Sequence, residues 1–245
     1  MLLYIDSSLL GMNTCYNCAF LDLTLPPDTF DLVILDLPYG QTAHKWDKKV
    51  DLDKMWEWLL SCCKKTCLYI FFTTTRFGNE LINSRPIGWF KYDLVWEKSR
   101  LLGFLSANKA PLRKHEMIYL FSNGKTVYNP QMTKGEPYIK KEEGTRESLY
   151  GKTIRTPIVN KGTRYPTSVL EFNSAVNTIH GTQKPLILLE YLIRTYSNKG
   201  DNVLDPTMGS GTAIIACINT NRNFVGIEKN TKIFNDAKKR ILSSK

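Results

Sequence analysis

Two short stretches bring together residue types that can do chemistry. Asp36-Leu37-Pro38-Tyr39 places a carboxylate, a proline-stiffened turn and a flat aromatic face in four consecutive residues, at the end of the apolar run DLVILD (31–36). The carboxylate and a turn carbonyl can accept the hydrogens of an amino group, and the Tyr39 ring can hold a flat partner. The second stretch, NVLDPTMGSGT (202–212), sets Gly209 and Gly211 between a buried strand and a helix start. There a bare backbone can approach a ligand closely. Seventeen residues beyond Gly211, the run FVGIE ends in Glu228, where nucleotide sites of α/β proteins hold ribose hydroxyls. The third glycine of a dinucleotide fingerprint is missing, since Ala213, Ile214 and Ile215 follow. With Asp205 ahead of the turn, the pattern favours a ligand with adenosine and ribose but no pyrophosphate. Taken singly, each stretch also reads as an ordinary tight turn.

Such groups need rigid elements behind them. DLVILD is a continuous apolar run stopped by Pro38-Tyr39-Gly40, which fits a parallel strand buried on both faces. Leu52, Met55, Trp56, Leu59 and Leu60 recur at helical spacing within 51–65, and CLYIFF (67–72) follows as a second buried strand. KYDLVWEK (91–98) and HEMIYLF (115–121) read as two more strands. Residues 122–168 lose periodicity and gather Gly, Pro, Lys, Thr and Asn, as an inserted region of loops does. Beyond it the pattern predicts a helix over 183–197 with Pro185 in its first turn, a strand over 201–205, a helix over 212–219, a strand over 223–228 and a helix over 230–243. Strands alternating with helices on both sides of an insertion imply an α/β fold with a doubly wound, mostly parallel sheet. The expected core is 1–121 with 169–245, and the expected insertion is 122–168.

Composition narrows the partners. The chain has 245 residues, of which 42% are hydrophobic and 11% aromatic, enough for a buried core and too many for a disordered chain. No apolar run approaches the roughly 20 residues of a membrane span, and Asp6 interrupts an N-terminus without a basic leader. The expectation is a cytoplasmic protein, not membrane-bound, with six free thiols. Net charge is +10, unevenly spread: residues 91–165 hold 15 Lys+Arg against 7 Asp+Glu, whereas residues 1–90 hold 8 against 10. Basic residues interleaved with aromatics suit phosphates and unstacked bases. Lys98, Arg100, Lys109, Arg113, Lys134, Arg146, Lys152, Arg155 and Arg164 are the candidate contacts to nucleic acid, with the 98–114 loop also expected near it.

The words DPTMGSGT and DLPY, in the order tetrad, basic insert, glycine turn, closely resemble the two signature motifs of the β group of amino-group DNA methyltransferases. YDLVWEKSRLLGFL, PLRKHEMIYLF, YNPQMTKG, RYPTSV and HGTQKP extend the resemblance over nearly the whole chain. It implies a Rossmann-like methyltransferase sheet with 122–168 as target-recognition region, S-adenosylmethionine as cofactor and double-stranded DNA as partner. In this reading Asp36, the Leu37 carbonyl, Pro38 and Tyr39 hold the target base. Asp205, Thr207, Gly209, Ser210, Gly211, Thr212 and Glu228 hold the cofactor, joined by Thr182, Gln183 and Lys184 at its methionine end and by Asn17 and Cys18 at its adenine. Thr207 stands where the family usually has Phe, Leu37 where it has Pro, and Gly181 where it has Pro. An acid-first tetrad goes mostly with adenine, so the resemblance implies methyl transfer to adenine N6 of a flipped base.

Cytosine N4 is the nearest rival target, with RNA or a protein glutamine more distant. From another class, a catalytically idle nucleic-acid-binding module with this fold is expected to lose the acid or the aromatic of the tetrad, and both are present. A dinucleotide oxidoreductase is disfavoured by the missing glycine. No metal is expected: His44, His115 and His180 are scattered singly, and of the pairs Cys15/Cys18 and Cys63/Cys67 the second falls on a predicted helix and strand start. Lys238-Lys239-Arg240 reads as a solvated helix end. A cognate restriction endonuclease and the choice between monomer and homodimer are left open.

Overall fold

The computed structural model describes residues 12–40, 49–141, 144–149, 151–176, 178 and 183–244, without the side chains of Arg146, Ser148, Thr153 and Arg155. Contacts divide the chain into two compact units, Met1–Asn129 with Ser168–Lys245, and Pro130–Thr167.

The first unit is built on eight strands: β1 (Thr14–Tyr16), β2 (Phe30–Leu35), β3 (Cys63–Thr73), β4 (Phe90–Leu102), β5 (Arg113–Phe121), β12 (Val169–Glu171), β13 (Asn202–Asp205) and β14 (Asn223–Ile227). Their order is β1-β14-β13-β2-β3-β5-β4-β12, and every ladder is parallel except the two made by β5. Five helices among the described residues cover it: α1 (Leu52–Cys62), α2 (Thr75–Asn83), α3 (Leu186–Tyr196), α4 (Thr212–Asn219) and α5 (Thr231–Ser243). Side chains alternate across each strand, so β2 sends Leu32 and Ile34 into one core and Val33 and Leu35 into the other. The first core is closed by Leu188, Leu192, Ile214, Ala237 and Ile241 of α3, α4 and α5. Met55, Trp56, Leu59, Phe77 and Leu81 of α1 and α2 close the second. This is the doubly wound, mostly parallel α/β sheet that the alternation predicts.

Three details differ from the sequence reading. Pro185 is not in the first turn of α3 but caps it, with an extended backbone (φ −63°, ψ 134°). Residues 122–129 belong to the first unit, because Asn129 donates its backbone N–H to the Thr195 carbonyl at 2.7 Å and its amide to the Ser197 carbonyl at 3.0 Å. The second unit is not all loop: it holds β6 (Thr133–Lys134), β7 (Tyr138–Lys140), β8 (Gly144–Ser148), β9 (Gly151–Arg155), β10 (Ile158–Asn160) and β11 (Thr163–Arg164), paired antiparallel as β6–β11, β7–β10 and β8–β9. No helix among the described residues is long and apolar enough to cross a membrane.

Candidate functional site

In an open α/β sheet, ligands bind beyond the carboxyl ends of the strands where the strand order reverses. That point lies between β2 and β13: from β2 the chain proceeds to β3 on one side, and from β13 to β14 on the other. Asp36 follows β2 and Asp205 ends β13, so the two sequence motifs emerge side by side. A direct link joins them, the Asp36 backbone N–H donating to Thr207 Oγ1 at 3.4 Å. Two surface clefts, lined in part by Thr29, Phe30 and Asn202 and by Asp31, Leu68 and Asp201, instead lie around the amino ends of these strands, away from this chemistry.

The glycine turn is held from three directions. Gly209 and Gly211 sit in the left-handed region at φ 49° and 74°. The Gly209 N–H donates to Glu228 Oε2 at 3.2 Å, and Glu228 Oε1 accepts from the Asn230 N–H at 2.8 Å. Asn17 donates its amide to the Glu228 carbonyl at 2.8 Å, which brings the end of β1 to the same place, with Cys18 half-buried beside it. Arg240 of α5 donates to the Ser210 carbonyl at 2.9 Å and to Thr212 Oγ1 at 2.8 Å. Arg240 is thus not the solvated helix end expected of the Lys238-Lys239-Arg240 run, because the orphan oxygens of the turn lie within its reach. Asp205 is buried and accepts from the Thr207 N–H at 3.1 Å. Burial, with the charges of Asp36 and Glu228 adding to it, pushes its carboxyl up to about 8 against the pull of the Thr207 hydrogen bond.

The tetrad is wired into a cluster of charges that the sequence reading missed. Lys184 donates to Asp36 Oδ2 at 2.6 Å and reaches Glu116 Oε1 at 3.2 Å. Lys98 pairs with Glu116 Oε2 at 2.5 Å and lies over the Trp96 ring. The Tyr39 hydroxyl faces Asp36 Oδ1 at 3.2 Å and Glu116 Oε1 at 3.4 Å, while its ring packs against Phe77 at 5.3 Å. Burial raises the Asp36 carboxyl; the Lys184 cation opposes this and Glu116 adds to it, leaving it above the usual range. For Glu116 burial is outweighed by the cations Lys184 and Lys98, which hold it below that range. Burial would lower the Lys184 ammonium, but Asp36 and Glu116 hold it charged well above its ordinary value. Burial first, then Asp36 and Glu116, push the Tyr39 phenol well up, so it remains a donor.

Of the candidate nucleic-acid contacts whose side chains are described, Lys98, Arg113 and Arg164 have partners within the protein. Lys98 is held by Glu116, as above. Arg164 donates to Asn160 Oδ1 at 2.6 Å and stacks over the Tyr138 ring at 4.9 Å, bracing the second unit. Lys184, expected at the cofactor's methionine end, is paired with Asp36 and Glu116. Arg100 and Lys109 of the first unit and Lys134 and Lys152 of the second are exposed; Arg113 is half-buried and donates to the His115 carbonyl at 3.2 Å. Thr182, with His180, Gly181 and His44, and the side chains of Arg146 and Arg155 lie outside the described residues. Glu116 had a signal in the sequence: with Ile118 and Leu120 it occupies alternate positions of one strand face, so a carboxylate had to point at the core.

Comparison with known proteins agrees with this geometry. Residues 30–239 match a family described as DNA methylase. The type II methyltransferase M1.MboII of Moraxella bovis is 29% identical over 246 residues, covering 90% of this chain and 92% of that protein. M.XycI of Xanthomonas campestris pv. cyanopsidis is 32% identical over 144 residues, 58% of this chain but only 41% of that protein. The DNA adenine methyltransferase YhdJ of Escherichia coli K12 is 25% identical over 223 residues, 85% of this chain and 74% of that protein. Among solved structures, an M1.HpyAVI–SAM complex superposes with a TM-score of 0.64 at 24% identity, covering 93% of this chain and 98% of that one. The cytosine-N4-specific PvuII DNA methyltransferase gives 0.60 at 16% identity, covering 95% and 93%.

Proposed function

From a chain that belongs to the DNA methylase family of amino-group methyltransferases, we propose one activity: transfer of a methyl group from S-adenosylmethionine to adenine N6 of a base flipped from double-stranded DNA. The observation that carries the reading is the seam itself, where the Asp36 carboxylate and the Gly209–Gly211 turn stand on adjacent strand ends, tied by the Asp36–Thr207 hydrogen bond.

The residues present fit the cofactor. Among the described residues a Cβ at Gly209 would meet only the Thr207 carbonyl, at 3.9 Å, so they leave open space beside the turn's backbone. Glu228, whose carboxylate is fixed by two backbone N–H groups, suits ribose hydroxyls, and Asn17 and Cys18 flank it for the adenine. The buried amide oxygen of Gln183 has no hydrogen-bond partner among the described residues, which suits an ammonium group. Asp205, Ser210, Gly211 and Thr212 shape the turn between them. When bound, S-adenosylmethionine supplies an electrophilic methyl group.

The chain's own part is to make a poor nucleophile competent. The adenine amino lone pair is delocalised into the ring, and it turns outward only if acceptors hold the amino hydrogens. Asp36 and the Leu37 carbonyl are those acceptors. An ionised carboxylate has about four acceptor positions, so Asp36 has capacity left beyond Lys184 and the Tyr39 hydroxyl. It acts where positive charge grows on nitrogen, the place where a fixed charge accelerates most. Pro38 stiffens the turn and Tyr39 holds the extruded base. The exposed Arg100, Lys109, Lys134 and Lys152, with Arg113, meet phosphates, and the second unit reads the target sequence.

Nucleosides digested from DNA treated with wild-type protein should contain N6-methyladenine, and Asp36→Ala should abolish it while leaving cofactor affinity nearly intact. N4-methylcytosine in its place would overturn the substrate, and substantial activity in Asp36→Ala would overturn the mechanism.

A further inference from the structure

The hairpin joining β4 to β5 ends in an apolar tip at the working edge of the sheet. Because β5 runs antiparallel to both β3 and β4, β4 points the same way as β2. Its carboxyl end therefore leaves the sheet on the side where Asp36 and Asp205 emerge. The same hairpin carries Glu116, which faces the Tyr39 hydroxyl of the tetrad, and Lys98, which pairs with Glu116. Beyond its last paired residues, Leu102 and Arg113, the chain turns through Gly103 at φ 94° into a single helical turn over Phe104–Ser106. That turn is closed by its own backbone: Ser106 N–H donates to the Gly103 carbonyl at 2.9 Å, and the Lys109 and Ala110 N–H groups donate to the Ser106 carbonyl at 2.9 and 3.0 Å. On this preformed tip Phe104 is 65% exposed and Leu105 fully so, at 102%. In the sequence, cations bracket the pair: exposed Arg100 before it and exposed Lys109 after it, followed by Arg113, which donates to the His115 carbonyl, and Lys114, which pairs with Glu97.

Two large apolar side chains on a self-supported turn, flanked in the sequence by cations, are suited to a partner with charged flanks and an apolar interior. A DNA duplex has that construction, phosphates outside and stacked bases inside, and proteins that distort it insert Phe or Leu between base steps. Resting on the reading that a base is flipped toward Asp36, we propose that Phe104 and Leu105 are the wedge that enters the stack and fills the place the target base leaves.

The test uses the full-length protein with S-adenosylmethionine and a duplex carrying the target sequence, found by sequencing modified bases in DNA the protein has methylated. Both wedge residues are exposed, so Phe104→Ser/Leu105→Ser should fold and melt as wild type does. It should bind the duplex within about 3-fold of wild type, since phosphate contacts dominate affinity. Yet it should lose about 10-fold or more of kcat, and most of the fluorescence rise of 2-aminopurine placed at the target. A duplex with an abasic site opposite the target is already unstacked, and on it the variant should recover to within about 3-fold of wild type. A variant that flips and turns over like wild type on the paired duplex overturns the wedge, as does a loss that the abasic duplex does not repair. If instead wild type methylates no adenine on either duplex, the functional reading itself fails and the wedge with it.

Discussion

Replacing Glu116 by Gln removes one charge from a cluster of two cations and two anions and leaves its volume nearly unchanged. Among the described residues Lys98 then keeps the Trp96 ring, 4.7 Å from its ammonium, and Lys184 keeps Asp36 and the Phe72 ring. Breaking one partner out of a buried pair costs about 3–5 kcal/mol. The Lys98 and Lys184 side chains retain 16% and 11% exposure, which sets the cost at the lower end, about 3 kcal/mol. For a chain of this size 1 kcal/mol moves Tm by about 2–4 °C, so Glu116→Gln should melt roughly 6–12 °C below wild type at pH 7. Adding Lys98→Met restores neutrality with an apolar side chain and should recover most of that loss. The pH dependence has a definite sign. Lys184 and Lys98 hold Glu116 below the usual carboxylate range, so its contribution is complete above the unfolded value and is lost as pH falls through the folded one. The gap between wild type and variant should therefore be constant from pH 7 to about 5 and narrow below about pH 4. In turnover, losing the negative charge that pushes Asp36 up should move the acid limb of kcat/KM to lower pH. Scanning calorimetry and a pH–rate profile measure both. A Tm within about 2 °C of wild type, or a double variant no more stable than Glu116→Gln, would refute the reasoning.

Gly211→Ala should cost about 2–4 kcal/mol, combining a left-handed φ of 74° with a Cβ 2.9 Å from Ile241 Cδ1; adding Ile241→Val removes that atom and should recover the steric part by calorimetry. Glu228→Ala should weaken S-adenosylmethionine binding by about 1–3 kcal/mol in titration calorimetry, and unchanged affinity would remove the ribose assignment. Asp205, pushed up to about 8, binds its proton more tightly folded than unfolded, so the stability it contributes below about pH 4 drains away as pH rises toward 8. Denaturant midpoints of Asp205→Asn should accordingly exceed those of wild type at about pH 9 and converge with them in acid; equal midpoints at both ends would contradict the buried charge.

Much of the fold was legible because the sheet is parallel and buried on both faces. Such strands are continuous apolar runs, as in DLVILD and CLYIFF, and the helix read at 212–219 is α4, Thr212–Asn219. What escaped was short or nearly polar. β1 and β12 have three residues each, too few for a period. In α2 only Phe77, Gly78 and Leu81 are buried, and the glycine that weakens its helical signal is required by the Tyr119 ring, 2.4 Å from where a Cβ would stand. The paired ribbons of the second unit face solvent on nearly every residue, so no alternation marks them. In the site, both motifs were visible because each is contiguous. Lys98 and Glu116 meet only through the β4–β5 register, which sets Trp96 opposite Glu116. A sequence without that register shows a lysine in a basic stretch and nothing of its partner.

The seam between β2 and β13 joins segments far apart in the chain, the Asp36 N–H and Thr207 Oγ1 being 171 positions apart. The sheet fixes which strands are neighbours but is indifferent to which was synthesised first. β1 pairs with β14, so the first and last strands of the described residues lie together at one edge. A chain reopened within the Pro130–Thr167 unit and joined across that edge would present its glycine turn before its carboxylate, yet bring the same two strand ends together. The order in which the motifs are written is thus a property of where the chain happens to be cut, and the chemistry is a property of the strand adjacency that survives the cut.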